Sequence, residues 1–116
     1  MKTLCNFYVW LIAATLAVVL AGCVTPSSAQ RGALFRAEDS LATGHAQDTL
    51  GHLARARQYG DLTPAETARA YWLEGQAQEQ LQHIPEAVAA YRRLVQLYPQ
   101  AHDAGLAKER LSKLAP

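Results

Sequence analysis

The sequence has almost no excess of charge of either sign. Eleven basic and ten acidic side chains give a formal net charge of +1 at pH 7 over 116 residues. A nucleic-acid-binding surface or a polybasic membrane patch requires a clear basic excess. The balance therefore predicts no nucleic-acid partner.

Residues typical of β-strands are scarce. Beyond residue 30 the chain is rich in Ala, Leu, Gln, Glu and Arg, with few β-branched residues and no alternation of apolar and polar positions. These residues favour helices, so the sequence predicts an all-α fold. Residues 23–116 suffice for one small domain.

Motifs that carry chemistry are missing as well. The sequence contains no G-x-S-x-G, no H-E-x-x-H and no glycine-rich phosphate loop. Its carboxylates are spread along the chain, without a pair suited to general acid and base catalysis. We predict that the protein is not an enzyme and has no catalytic residue.

Four histidines, His45, His52, His83 and His102, are the candidate bases or neutral metal ligands. His45 and His52 are seven residues apart, which on one helix separates them by roughly 10 Å, too far to share one ion. We interpret the histidines as surface residues and predict no metal site. The alternative is a metal or catalytic role.

The N-terminus, in contrast, carries a clear signal. Lys2 precedes an apolar run from Phe7 to Leu20 whose only polar residue is Thr15. The run is short for a membrane span and is followed by small residues, as in secretory signals. An uncleaved signal anchor spanning Phe7 to Val24 is the alternative.

The apolar run ends in LAGC at residues 20–23, which resembles the lipobox of bacterial lipoproteins. The resemblance implies that residues 1–22 are a signal peptide and that Cys23, acylated on its sulfur and its amino group, is the mature N-terminus. Three acyl chains exceed the two signals that stable membrane anchoring requires. In the family an aspartate after the cysteine retains the protein in the inner membrane, so Val24 implies the outer membrane and its periplasmic face.

Cleavage before Cys23 would also remove Cys5, the second of the two cysteines. No disulfide is then possible, and the fold rests on packing alone. The covalent lipid on Cys23 is the one added group expected, and no cofactor is predicted. Residues 24–30, VTPSSAQ, favour a flexible tether, so we assign residues 23–30 to the lipidated cysteine with its tether and residues 31–116 to the helical domain.

About five helices are expected in this domain. Thr63 to Glu66 has the pattern of a capping box with proline at the first helical position, and predicts a helix to about Leu81. An apolar stripe after Pro85 predicts the next helix, which ends before Pro99. Apolar spacing predicts two earlier helices, one ending before Gly44 and one near Tyr59, and a last helix over 102–115. Short connections make them antiparallel hairpins.

The spacing of Gly75, Ala87, Tyr91 and Pro99 resembles the tetratricopeptide repeat, whose pattern is W-x2-L-G-x2-Y, then A-x3-F, then P. The resemblance covers residues 68–101 and implies that residues 102–115 form a capping helix. The departures lie at Tyr71, Glu74, Gln78 and Leu94, which replace tryptophan, leucine, tyrosine and a small residue.

A weaker first repeat is indicated upstream, because four positions of the better repeat recur there with the same spacing. Trp72, Gly75, Val88 and Tyr91 correspond in this order to Leu34, Ala37, Leu50 and Leu53. The offset between the two sets is longer than the ordinary repeat length. One extra helical turn at Thr63 would explain the difference.

In tetratricopeptide proteins the first helix of each pair lines the concave face. The matching positions, which the resemblance makes candidate partner-binding residues, are Arg69, Trp72, Gln76, Glu79 and Gln80. Trp72 beside Arg69 would suit the centre of an interface. The alternative is that Trp72 packs against the preceding hairpin and Arg69 is solvated.

These features together predict a periplasmic lipoprotein of the outer membrane that binds envelope proteins as a scaffold or assembly adaptor. A regulatory lipoprotein that contacts a sensor or secretion complex is the alternative, and a cell-wall enzyme would need a polar cleft. A homo-oligomer is possible, because one good hairpin, one poor hairpin and a cap are few for a solenoid. Leu34, Phe35 and Leu41 are then the candidate docking face.

Overall fold

The computed structural model describes residues 26–60 and 62–116, and side chains from residue 29 onward. The predicted signal peptide and Cys23 lie outside the described residues. Within them the protein consists of five helices and no strands, which confirms the predicted all-α class. The helices are α1 (Pro26–Ala42), α2 (Ala46–Gln58), α3 (Pro64–Gln80), α4 (Ile84–Leu97) and α5 (His102–Leu114). No helix in this part of the chain has the length and apolarity needed to cross a bilayer.

The start of α1 differs from the predicted domain boundary. The helix begins at Pro26, so residues 26–30, expected in the flexible tether, are helical. Proline suits the first turn of a helix, whose N–H groups have no intrahelical partner. Gln30 is also buried, and its Nε2 lies 3.4 Å from the position that a Cβ on Gly60 would occupy. Packing against the turn after α2 thus fixes this segment, whose composition alone suggests flexibility.

The helices form two rows. Each helix packs against the next in the chain, and α1, α3 and α5 also contact one another in that order. The three odd-numbered helices therefore form one side of the bundle, which we call the inner face, while α2 and α4 lie behind them. Alanine is the commonest buried residue, and its small side chain allows the helices to approach closely.

The core is divided into two clusters of the same design. Each contains buried residues of three successive helices. The first cluster consists of Ala33, Leu34, Ala37, Leu53, Ala56, Ala70 and Leu73. The second consists of Ala68, Trp72, Ala87, Tyr91, Leu94, Ala104 and Ala107, and Gly75, at the position that corresponds to Ala37, is buried as well.

In the first two helices of each cluster, Leu34 of the first cluster takes the place of Trp72 of the second, and Leu53 takes the place of Tyr91. In the third helix of each cluster, Ala70 and Leu73 correspond to Ala104 and Ala107. These residues are closer in sequence, by one helical turn, than the corresponding residues of the first two helices. The difference lies in the first turn of α3, since Ala70 is six residues after the start of α3 and Ala104 is two after the start of α5.

The first part of α3 is therefore one helical turn longer than the corresponding part of α5. It begins with the predicted capping box, in which Thr63 Oγ1 accepts from Glu66 N and Glu66 Oε2 accepts from Thr63 N. Pro64 takes the first helical position, as predicted.

The turns inside the two hairpins are also equivalent. Gly44 and Gln82 both have positive φ, +81° and +61°. The N–H after each donates to the carbonyl five residues back, and their own N–H donates to the carbonyl three residues back. This is the Schellman pattern, which glycine suits best because it has no Cβ.

We therefore expect Gln82→Gly to stabilise the protein by about 0.5–1 kcal/mol. The left-handed conformation costs a side-chain-bearing residue roughly 1–2 kcal/mol, and part of the gain is lost to the greater entropy of glycine in the unfolded chain. Urea unfolding followed by circular dichroism measures the change. Gly44→Gln is the matched reverse substitution and should destabilise by a similar amount, since nothing lies within 4 Å of a Cβ at Gly44. Equal stability of all three proteins would contradict the prediction.

Candidate functional site

Tyr91 of α4 packs directly against Gly75 of α3. A Cβ on Gly75 would lie 2.3 Å from Tyr91 Cε1 and 2.6 Å from its Cδ1. The Tyr91 ring is fully buried, with the Trp72 ring 5.3 Å away between centroids and tilted by 43°. Ala87 is fully buried in the same cluster, whereas Pro99 is exposed immediately after α4. The tyrosine ring occupies the space that the missing side chain leaves.

Trp72 is a core residue. Only 9% of its surface is exposed, and it belongs to the second cluster with residues of α4 and α5. The sequence offered two interpretations, a hot spot on an open face or a contact with the preceding hairpin. In the structure Trp72 packs mainly toward the following helices, α4 and α5, and its remaining exposed edge borders the inner face.

Arg69 connects the three helices of the inner face. Its Nε donates to Glu38 Oε1 of α1 at 2.7 Å, and its Nη1 donates to Asp103 Oδ1 of α5 at 3.4 Å. The arginine is thus paired with carboxylates on both neighbouring helices, while 41% of its side chain remains exposed. Arg31 of α1 adds a longer ion pair, 3.8 Å, with Glu66 of α3.

Glu79 is held in a similar way at the other end of α3. Its carboxylate accepts a hydrogen bond of 2.6 Å from the Tyr91 hydroxyl and bonds from Nε and Nη2 of Arg110 on α5. Burial raises the pKa of Glu79, but the hydrogen bonds from Arg110 and Tyr91 outweigh it, so the pKa lies below its usual value. Burial and the neighbouring carboxylate raise the pKa of Tyr91, which keeps its hydroxyl protonated as the donor.

This arrangement predicts a contribution of Glu79 to acid stability. Because its pKa is lower in the folded protein than the ordinary value of 4.5, its stabilisation is fully present above that value and is lost as the pH falls through the folded pKa. Glu79→Gln should therefore flatten the fall of unfolding free energy between about pH 5 and pH 3. The exposed Glu86→Gln is the control. A slope unchanged in Glu79→Gln would contradict this role.

Four of the five predicted partner-binding residues line one depression in the inner face, of about 380 Å³. Its walls come from α3 and α5, and the lining residues are Trp72, Gln76, Glu79, Gln80 and Arg110. Gln76 is half-buried, and Gln80 is exposed and donates through Nε2 to the Leu41 carbonyl of α1 at 3.3 Å. Arg69 lies outside the depression. We call this surface the α3–α5 depression.

Sequence reasoning missed the contribution of α5. The offset that relates Ala70 of α3 to Ala104 of α5 also relates Arg69 to Asp103 and Gln76 to Arg110. The sequence therefore contains a signal for these contacts, which the prediction of α5 as a capping helix alone does not use. Its side chains complete both the ion pairs and the α3–α5 depression.

The predicted docking face on α1 is corrected by the structure. Leu34 is buried in the first cluster, and Leu41 is partly buried against it. Phe35 is 70% exposed. Its equivalents at the same place in later helices, Leu73 and Ala107, are covered by the preceding hairpin, and no described hairpin precedes α1. Phe35 alone remains of that face.

The four histidines belong to no cluster of three potential metal ligands. Within the described residues no three histidine, cysteine, aspartate or glutamate side chains are close enough to hold a metal ion. His45 and His83 instead occupy equivalent places before α2 and α4, where each bonds through Nδ1 to a neighbouring side chain, Thr43 or Gln78.

Comparison with protein-family models, with curated proteins and with solved structures finds no match to this chain.

Proposed function

We propose that the protein is a lipoprotein anchored at the periplasmic face of the outer membrane, where its helical domain binds a segment of an envelope protein as a scaffold or assembly adaptor. The lipobox at residues 20–23 supports the anchor. The two equivalent clusters and the equivalent hairpin turns support a tetratricopeptide-like repeat. Anchoring confines the domain to a surface and raises its effective concentration toward other proteins there.

The observation that carries the binding proposal is the α3–α5 depression. It lies on the face formed by α1, α3 and α5, and it combines two side-chain amides with the exposed edge of an indole. Such a mixture suits a polypeptide, whose backbone offers donors and acceptors to the glutamines and whose side chains can cover Trp72. Glu79 and Arg110 neutralise each other, so the depression does not require a strongly charged partner.

The anchor and the depression are tested by separate variants in one pull-down from membranes. Mass spectrometry of the mature protein should find cleavage before Cys23 and the added acyl mass, and Cys23→Ser should lose both, with loss of envelope partners.

Gln76→Arg places a longer cation in the α3–α5 depression and should lose the same partners while remaining acylated. Gln96→Arg, on the exposed side of α4, is the matched control. Retention of every partner by Gln76→Arg would contradict binding at this surface.

A further inference from the structure

We propose that the end of the bundle where α1, α3 and α5 begin rests on the bilayer surface, with exposed apolar side chains at the C-terminal ends of α2 and α4 in the lipid interface. We call it the lower end. The inference rests on the proposed lipidation of Cys23 and adds an orientation and a second membrane contact to it. The first support is the repeat itself: Tyr59 and Leu97 occupy corresponding positions of the two hairpins, at the ends of the two outer helices.

Both residues are unusually exposed for their type. Tyr59 is 53% exposed and Leu97 is 59% exposed, and they are two of the few large apolar side chains on the surface of the described residues. Two helices therefore finish with an apolar side chain in solvent at corresponding places. Tyrosine is favoured at membrane interfaces because its ring is apolar while its hydroxyl remains hydrated.

An apolar depression continues the surface beside Leu97. It has a volume of about 410 Å³ and is lined by the first turn of α3 and the turn between α4 and α5. Pro64, Ala65, Leu97, Tyr98, Pro99 and Ala101 form most of its wall, with Gln100. A lipid bilayer is a suitable occupant, because a shallow surface of this kind can insert side chains among headgroups without a matching protein shape.

The chain itself brings this end to the membrane. Only Val24 and Thr25 separate Cys23 from Pro26, where α1 begins. Three residue steps span at most roughly 11 Å, so an acylated Cys23 holds the start of α1 close to the headgroups. Arg31, near the start of α1, pairs with Glu66 near the start of α3, and Gln30 lies against Gly60 in the turn after α2. The residues around Tyr59 are thus joined to the anchored segment.

The orientation follows from these contacts. The α1–α2 and α3–α4 turns, which contain Gly44 and Gln82, lie at the opposite end and should point into the periplasm. The α3–α5 depression contains residues from the last turns of α3, so it would stand away from the bilayer and remain open to a partner. The lower end and the partner-binding surface are therefore separate.

Fluorescent labelling of the mature protein in vesicles of phosphatidylethanolamine and phosphatidylglycerol tests the proposal. Acylation blocks the sulfur of Cys23, so Leu97→Cys and Gln82→Cys each provide a single thiol for an environment-sensitive fluorophore. The label at 97 should lose most of its emission to a headgroup spin-labelled lipid and little to aqueous iodide. The label at 82 should lose most of its emission to iodide and little to the spin-labelled lipid. Circular dichroism and thermal unfolding verify that both labelled proteins are folded.

Two results would overturn the proposal. If iodide quenches the label at 97 as readily as that at 82, the lower end is free in solution. If the label at 97 is shielded from iodide but is not quenched by the lipid probe, a second copy or another protein covers it. Mass spectrometry of the same samples separates these results from failure of the proposed function, because a chain without acyl mass would lack the anchor altogether.

Discussion

Replacing Gly75 by alanine is expected to lower the free energy of unfolding by about 2 kcal/mol, although alanine is normally the better helix former by roughly 1 kcal/mol. The added Cβ would lie 2.3–2.6 Å from carbon atoms of the Tyr91 ring. That ring is fully buried and held by Trp72 and by its hydrogen bond to Glu79, so it has little room to move. Urea unfolding followed by circular dichroism measures the loss.

Gly51→Ala is the matched control for this substitution. Gly51 is exposed in the middle of α2, and nothing lies within 4 Å of a Cβ there. The same change should therefore stabilise the protein by about 0.5–1 kcal/mol through helix propensity and backbone entropy. A loss of stability from Gly75→Ala and a gain from Gly51→Ala would separate the effect of packing from the intrinsic helix preference of alanine.

A double substitution identifies the cause of the Gly75 effect. The first cluster has Ala37 and Leu53 where the second has Gly75 and Tyr91, so a larger residue on one helix accompanies a smaller one on the other. Gly75→Ala in a Tyr91→Leu background should cost nothing or stabilise, which corresponds to a coupling of about 2 kcal/mol. If Gly75→Ala costs the same in both backgrounds, the steric explanation is wrong.

Trp72→Ala is expected to lower the free energy of unfolding by about 3–5 kcal/mol, because it removes a large buried side chain and leaves a cavity in the second cluster. The loss is large for so small a domain, whose total stability is modest. Trp72 is the only tryptophan outside the predicted signal peptide, so the variant lacks the tryptophan fluorescence that would report unfolding. Circular dichroism should therefore be the probe. Trp72→Phe, which keeps an aromatic ring against Tyr91, should lose less.

This prediction also affects how binding is tested. A hot spot on an open surface would lose partner affinity with little change in stability when truncated. A core tryptophan loses stability first, and partner binding then falls because less protein is folded. Wild-type stability of Trp72→Ala together with lost partner binding would contradict the buried position. Gln76, which lines the α3–α5 depression without filling the core, is the better residue for testing the partner site.

The helices could be predicted from the sequence because their signals are local. The Thr63 capping box, Pro64 and the apolar stripe before Pro99 act within one or two helical turns, and the structure has the helices there. The tether was predicted less well. Its small polar residues suit a flexible chain, but Gln30 is buried against the turn after α2, a contact between residues that are distant in the sequence.

The candidate site required more than local signals. Four of the five predicted residues line the α3–α5 depression, because their spacing places them on one side of α3. Spacing does not give the direction in which that side packs, and α4 and α5 cover most of Trp72. Arg69 and Glu79 were expected to meet a partner, but Asp103 and Arg110 of α5 neutralise them.

Capping residues, prolines and apolar spacing act between near neighbours in the chain, so they suffice to predict the five helices and the short turns between them. Which side chains stay accessible depends instead on how the helices pack. Burial and ion pairing depend on helices that are distant in sequence: Tyr91 fills the space above Gly75, and Arg69 joins α1 to α5. Such contacts bury or pair side chains that the sequence alone would place in solvent. Tyr59 and Leu97, in contrast, remain exposed at one end of the bundle.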